Sequence, residues 1–216
     1  RRAAEAFRRE MTAAGTYVVR LLSSPGAGKT SLLQKTAERL GETHRVGILV
    51  GDIETDRDAR RLAPFAPSYQ ITTGGACHLE LPLVKRALPQ LGTGPFDFLF
   101  VEDVGNLICP ASHELGEHLR VIVLSATEGD DKPGKYPKAF RTSQVCVISK
   151  TDLIPHVPFS IEAAVEDARQ IQPELRVFSV SSLRGEGIEE WCDFLASERR
   201  QILGAFHESS ASGRSD

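Results

Sequence analysis

The stretch Ser23-Ser24-Pro25-Gly26-Ala27-Gly28-Lys29-Thr30 separates an apolar run at 17–22 from a helical pattern that begins with Ser31-Leu32-Leu33. Glycines in such a loop let the chain wrap closely, so that successive backbone N–H groups and the next helix N-terminus face phosphate oxygens. Gly26, Ala27, Gly28, Lys29, Thr30 and Ser31 are therefore read as a phosphate cradle. Lys29 would reach the β- and γ-phosphates and serve catalysis, while the Thr30 hydroxyl would hold Mg2+. The stretch departs from the general GxxxxGK[ST] pattern at Ser23, where that pattern has its first glycine.

Phosphate-bound Mg2+ keeps near-octahedral oxygen coordination, and carboxylates supply part of it. Two apolar runs end in acids, Gly51-Asp52-Ile53-Glu54 and Val101-Glu102-Asp103. Glu102 is expected at the metal. Asp52 is expected to hold the metal's water shell or to orient the attacking water, which makes it the second catalytic candidate. Asp56 and Asp58 read instead as charges favoured at a helix N-terminus. Further along, Ser149-Lys150-Thr151-Asp152 follows another apolar run. A carboxylate at Asp152 accepts both N1–H and N2–H of guanine, whereas adenine offers an acceptor at N1 and no N2 amine, so GTP is favoured over ATP. Lys150 would pack its stem on the purine, and Ser181 and Ser182 would offer backbone N–H groups to guanine O6. Guanine-binding [NT]KxD sequences start with Asn or Thr, so Ser149 is a departure.

Cys77-His78 follows a Gly74-Gly75 pair and opens a helical pattern, and Cys109 follows the run that ends at Glu102. Thiolate and imidazole suit Ni2+ or Zn2+, while Mg2+ prefers oxygen, so two different metal sites are expected. Three ligands leave a four-coordinate ion to be completed by water or a second subunit. Cys146 and Cys192 read as core residues, and His113 and His118 as surface residues rather than extra ligands.

The elements that must position these groups form a regular series. A charged amphipathic helix over the first fourteen residues precedes apolar strand-like runs at 17–22, 46–50, 96–101, 119–124, 145–148 and 177–180. Helical patterns at 30–40, 78–88, 161–171 and 188–202 lie between or after them. Continuous apolar strands alternating with helices predict an α/β, doubly wound, mostly parallel sheet covered on both faces. In such sheets ligands sit outside the carboxyl ends of the strands, where every motif above lies. One domain is expected over 1–206, followed by a disordered tail at 207–216 that lacks apolar character. With 26 basic against 29 acidic side chains, no global attraction to nucleic acid or to an anionic membrane is expected. No apolar run approaches the roughly 20 residues of a membrane span. Four scattered cysteines without a CxxC pair point to a reducing compartment, the cytoplasm. The start at Arg1 without an apolar leader reads as a trimmed chain.

Together the strings SSPGAGKTSLL, GDIETDRDA, GGACHLE, FVEDVGNLICPA, TEGDDKPGKYP and SKTDL resemble the hydrogenase nickel-incorporation GTPases (HypB type) of the SIMIBI class of P-loop proteins, relatives of the urease accessory GTPase. The likeness runs from about Arg20 to Phe194. It implies GTP hydrolysis and GTP-promoted homodimerisation, and with no arginine finger or Ras-type Gln identifiable in the sequence slow turnover is expected. It also implies a Ni2+ or Zn2+ site of Cys77, His78 and Cys109 near the dimer interface. The implied partners are a nickel-handling accessory protein and a hydrogenase large-subunit precursor. That family also starts its phosphate loop with Ser, as at Ser23. It commonly has Asn at the positions of Asp103 and Ser149, so altered nucleotide affinity is expected here. The Cys- or His-rich segment that many members carry upstream is not found. The competing readings are a nickel GTPase for urease, a zinc-stabilised dimerisation module whose nucleotide site is only structural, and a P-loop kinase for a small metabolite.

Overall fold

The computed structural model describes residues 1–53 and 56–212, with side chains described through Glu208. Seven strands form one sheet in which every pairing is parallel: β1 (Tyr17–Ser23), β2 (Val46–Asp52), β3 (Ser68–Thr72), β4 (Phe98–Glu102), β5 (Leu119–Ser125), β6 (Val145–Ser149) and β7 (Arg176–Ser179). Their order across the sheet is β3-β2-β4-β1-β5-β6-β7. The order reverses at β1, so the loop after β1 opens into the crevice where such sheets bind ligands.

Alternate residues of β1 show how the apolar runs work. Tyr17, Val19 and Leu21 join one core cluster, whereas Val18 and Leu22 join the two clusters on the opposite face. Helices α1 (Arg2–Ala13), α2 (Lys29–Leu40), α3 (Arg57–Leu62), α4 (Leu81–Ala87), α5 (Lys132–Lys135), α6 (Pro137–Arg141), α7 (Ile161–Ile171) and α8 (Ile188–Ser212) close these faces. Leu32 and Leu33 of α2 pack with Leu62 of α3 and Trp191 of α8 on one side. Phe7 and Met11 of α1 join Val84 of α4 on the other, beside the α6–α7 cluster. Trp191 satisfies its indole by donating to Thr36 Oγ1 at 3.1 Å. Cys146 and Cys192 are buried, and burial pushes both thiols up to about 12, as expected for core residues.

Three expectations about the elements change. β3 has no counterpart among the predicted strands, because this edge strand buries only Ile71 of its five residues and shows no apolar run. The helix expected to open at His78 starts at Leu81, where Pro82, lacking an N–H, fits the first turn; Cys77 and His78 occupy the preceding loop. Helix α8 continues through Ser212, past the tail expected from 207; once a helix is nucleated, each added residue gains one hydrogen bond. Residues 213–216 lie outside the described residues.

His118 is half-buried rather than on the surface. Val18 N–H donates to its Nδ1 at 2.9 Å, so Nε2–H is the donor to Thr12 Oγ1 at 2.8 Å. Burial and the Arg8 charge push the imidazole down to about 4. Between pH 6.5 and 4 the unfolded chain therefore carries a proton that the folded chain refuses. The stability this site contributes is present above pH 6.5 and lost as pH falls towards 4, by at most about 3 kcal/mol. His118→Asn keeps an acceptor for Val18 N–H and is expected to flatten the fall in Tm across that window. An unchanged slope would show that other groups set the acid limb.

Candidate nucleotide and metal sites

β1 delivers the chain into the phosphate loop and α2 takes it away at Lys29. Gly26 (φ 73°) and Gly28 (φ 93°) hold left-handed backbone that side-chain-bearing residues avoid, which fixes them as glycines. Lys29 is buried and its Nζ donates to Ser23 Oγ at 2.7 Å. Ser23 thus has a polar task that a glycine lacks. Thr30 Oγ1 donates to Glu102 Oε1 at 3.0 Å, which puts hydroxyl and acid side by side at the ends of α2 and β4. Burial pushes Glu102 up to about 7, with the nearby Asp58 and Asp52 adding to the rise and Lys29 and Thr30 opposing it. A buried carboxylate among other acids suits a divalent cation. Asp52 lines the same cleft of about 560 Å³, its Oδ1 accepting the Ile53 N–H at 2.6 Å.

A second hollow of about 520 Å³ continues from this cleft past Gly28, Ser31 and Lys150 to Asp152, Ser182 and Leu183. Ser149, buried, donates to Ala27 O at 2.6 Å, and Lys150 Nζ donates to Gly26 O at 2.7 Å. The base loop is thereby tied to the phosphate loop. Lys150 takes φ 57°, the one non-glycine residue in left-handed backbone among the described residues. Asp152 Oδ1 accepts from Ser181 Oγ at 2.6 Å. The expectation for Ser181 is corrected here: its N–H donates to Glu186 O at 3.0 Å, across an isolated bridge, so its hydroxyl orients Asp152 instead. Ser182 lines the hollow.

Two residues of the cleft carry no separate signal in the sequence. Asp58 reads as a helix-terminal charge, yet it lines the phosphate end and acts on Glu102. Arg61 lines both halves and donates to Ser31 Oγ at 3.0 Å.

The soft-ligand group also assembles. The ligand atoms of Cys77, His78 and Cys109 lie within 4.8 Å of one another. Asn106 joins the two loops, its Nδ2 donating to Cys77 O at 3.3 Å while its Oδ1 accepts the Ile108 N–H at 2.8 Å. A hydrogen bond to the neighbouring Cys109 raises the Cys77 thiol. Among the described residues His78 Nε2 is buried without a hydrogen bond, with the Glu80 carboxylate 3.7 Å away. Two thiols and an imidazole form the soft donor set that Ni2+ and Zn2+ accept.

One buried carboxylate lies between the two sites. Asp103, beside Glu102 in sequence, accepts the Leu79 and Val104 N–H groups on Oδ1, both at 2.9 Å. Its Oδ2 takes the Arg20 guanidinium, with Nε at 2.8 Å. Asp103 is therefore occupied in holding the residue after His78.

The profile of the CobW/HypB/UreG nucleotide-binding domain matches residues 17–179. The hydrogenase/urease maturation factor HypB of Helicobacter hepaticus is 40% identical over 95% of this chain and 86% of its own. The chain belongs to the HypB family. Its SIMIBI P-loop architecture is also that of the crystal structure of HypB from Helicobacter pylori in complex with nickel, which superimposes with a TM-score of 0.86 at 35% identity over 93% of this chain and 94% of that one. The hydrogenase maturation factor HypB of Azotobacter chroococcum is 44% identical over 92% of this chain, which spans 65% of that relative's length. The glycine-rich loop and the Thr30–Glu102 pair both lie within the matched nucleotide-binding domain. No helix among the described residues is long and apolar enough to cross a membrane.

Proposed function

We propose that this HypB-family chain hydrolyses GTP and couples nucleotide state to nickel delivery during [NiFe]-hydrogenase maturation. One observation carries the reading: residues 102–109 run unbroken from the acid bonded to Thr30 to a thiol of the soft-metal group, and Asp103 bonds across to the second ligand loop. A shift at the phosphates thus has a short, hydrogen-bonded path to the metal ligands. Thr30, Asp52 and Glu102 would hold Mg2+, which neutralises charge on the phosphates when bound. Lys29 would bind the γ-phosphate, Asp52 would orient the attacking water, and Asp152 would select guanine. No glutamine of the Ras type stands in this cleft among the described residues, so slow turnover is expected.

The same reading takes in GTP-dependent homodimerisation, a nickel-handling accessory protein as donor and the hydrogenase large-subunit precursor as acceptor. It places the work in the cytoplasm, where the free thiols of Cys77 and Cys109 stay reduced. A urease precursor is the second reading, favoured by the Helicobacter hepaticus relative, described as a hydrogenase/urease factor. Co-purification with one precursor or the other separates them.

Nickel titration of the full chain with GDP and with a non-hydrolysable GTP analogue tests the coupling. Cys109→Ala is expected to lower nickel affinity more than tenfold, above the roughly 10-fold lower bound for losing an outer-shell partner. Equal nickel affinity in both nucleotide states, with unchanged oligomeric state, would overturn the coupling.

A further inference from the structure

His113 stands just outside the Cys77–His78–Cys109 group and touches both ends of it. Its ring stacks on that of His78, with centroids 3.9 Å apart and planes inclined by 19°. Its Nδ1 lies 2.9 Å from the carbonyl oxygen of Cys109. A carbonyl only accepts, so Nδ1 carries the proton and Nε2 keeps its lone pair. Metal-bound histidines show this arrangement, one ring N–H given to a backbone carbonyl and the other nitrogen left for the metal.

The backbone of His113 is also anchored. Its carbonyl oxygen accepts from Arg20 Nη1 at 2.5 Å and from Arg120 Nη2 at 2.9 Å. Both guanidiniums are buried and paired, Arg20 with Asp103 and Glu117, Arg120 with Glu117. The same Asp103 holds the amide that follows His78. One buried charge network thus fixes both ligand loops, while the His113 ring itself is exposed. Two thiolates and one imidazole leave a four-coordinate ion one ligand short.

We propose that His113 is the fourth ligand of the divalent cation, closing within a single subunit the site begun by Cys77, His78 and Cys109. This rests on the metal reading of that group given above. Compared with three protein ligands, the closed site would hold the ion without a ligand borrowed from a second copy of the chain.

The test is titration of the full chain with Ni2+ against a competing chelator, together with X-ray absorption of the nickel-loaded protein, for wild type, His113→Phe and Cys109→Ala. Phenylalanine keeps a ring on His78 and leaves the anchored carbonyl in place. Expected are two imidazole nitrogens at nickel in the wild type and one in His113→Phe, with affinity lowered about tenfold or more. Wild-type affinity and an unchanged nitrogen count in His113→Phe, while Cys109→Ala loses the metal, would overturn the fourth ligand and leave the three-residue site standing. Wild-type nickel binding by Cys109→Ala would overturn the three-residue site itself, and the inference with it.

Discussion

Replacing Lys29 by alanine is expected to lower GTP turnover by on the order of 10²–10³-fold, the loss seen when one preorganised donor to developing transition-state charge is removed. The side chain is buried at the mouth of α2, where the surroundings screen its charge far less than water does. Its Nζ rests on Ser23 Oγ, a neutral partner that γ-phosphate oxygens outbid. Lys29 also lowers the proton affinity of Glu102, which burial pushes up to about 7. Removing the cation leaves that carboxyl still more inclined to keep its proton, so Mg2+ binding should weaken along with turnover. Phosphate release measured across GTP and Mg2+ concentrations separates the two effects. A kcat that stays low at saturating Mg2+ marks the lost transition-state contact, and recovery of kcat there marks the indirect one. Turnover within about threefold of wild type would remove Lys29 from the chemistry, because a donor to a developing oxyanion is worth more than that.

The groups legible in the sequence are those whose chemistry is local in the chain. The cradle from Gly26 to Ser31 is a contiguous string, Glu102 ends β4, and Cys109 and Asp152 stand in the loops beyond β4 and β6, so strand ends place them at one edge of the sheet. Asp58 and Arg61 escape that logic. A charge in the first turns of a helix looks the same in sequence whether it faces water or a cleft, and only the packing of α3 beside β2 decides. Ser181 shows a subtler limit: its type and place were legible, but the partner of its N–H depends on the bridge to Glu186. β3 was hidden because an edge strand covered on one face needs few apolar residues. Arg20 is the least legible of all. Inside Tyr17-Val18-Val19-Arg20-Leu21-Leu22 it reads as a blemish in a strand, and its partner Asp103 lies 83 residues away.

That pair supports the second large effect. Arg20→Leu is expected to destabilise the fold by about 3–5 kcal/mol, the usual cost of leaving one buried charge without its partner. Asp103 loses its guanidinium with no solvent to replace it, and Glu117, which Arg20 and Arg120 together hold below the usual carboxylate range against burial, keeps only Arg120. Asp103→Leu should cost a similar amount for a different reason: it orphans Arg20 and also strips the Leu79 and Val104 N–H groups of their acceptor. In the double variant Arg20→Leu/Asp103→Leu neither charge is left unpaired, so the two losses should fall short of additivity by more than about 1 kcal/mol in urea unfolding. Its remaining defect is located rather than global. Leu79 N–H loses its acceptor and the His113 carbonyl keeps only Arg120 of its two donors, and both belong to the loops that carry the soft-metal ligands. The double variant should therefore recover much of its stability while binding nickel more weakly than wild type. Additive losses would show that Arg20 and Asp103 act separately, and full nickel affinity in the double variant would show that the ligand loops hold their shape without them. Burying a charge pair costs desolvation that an apolar pair would avoid. In this chain that cost is offset by fixing the loops of Cys77, His78 and Cys109, the proposed metal ligands, to the strand that leads into the glycine-rich loop.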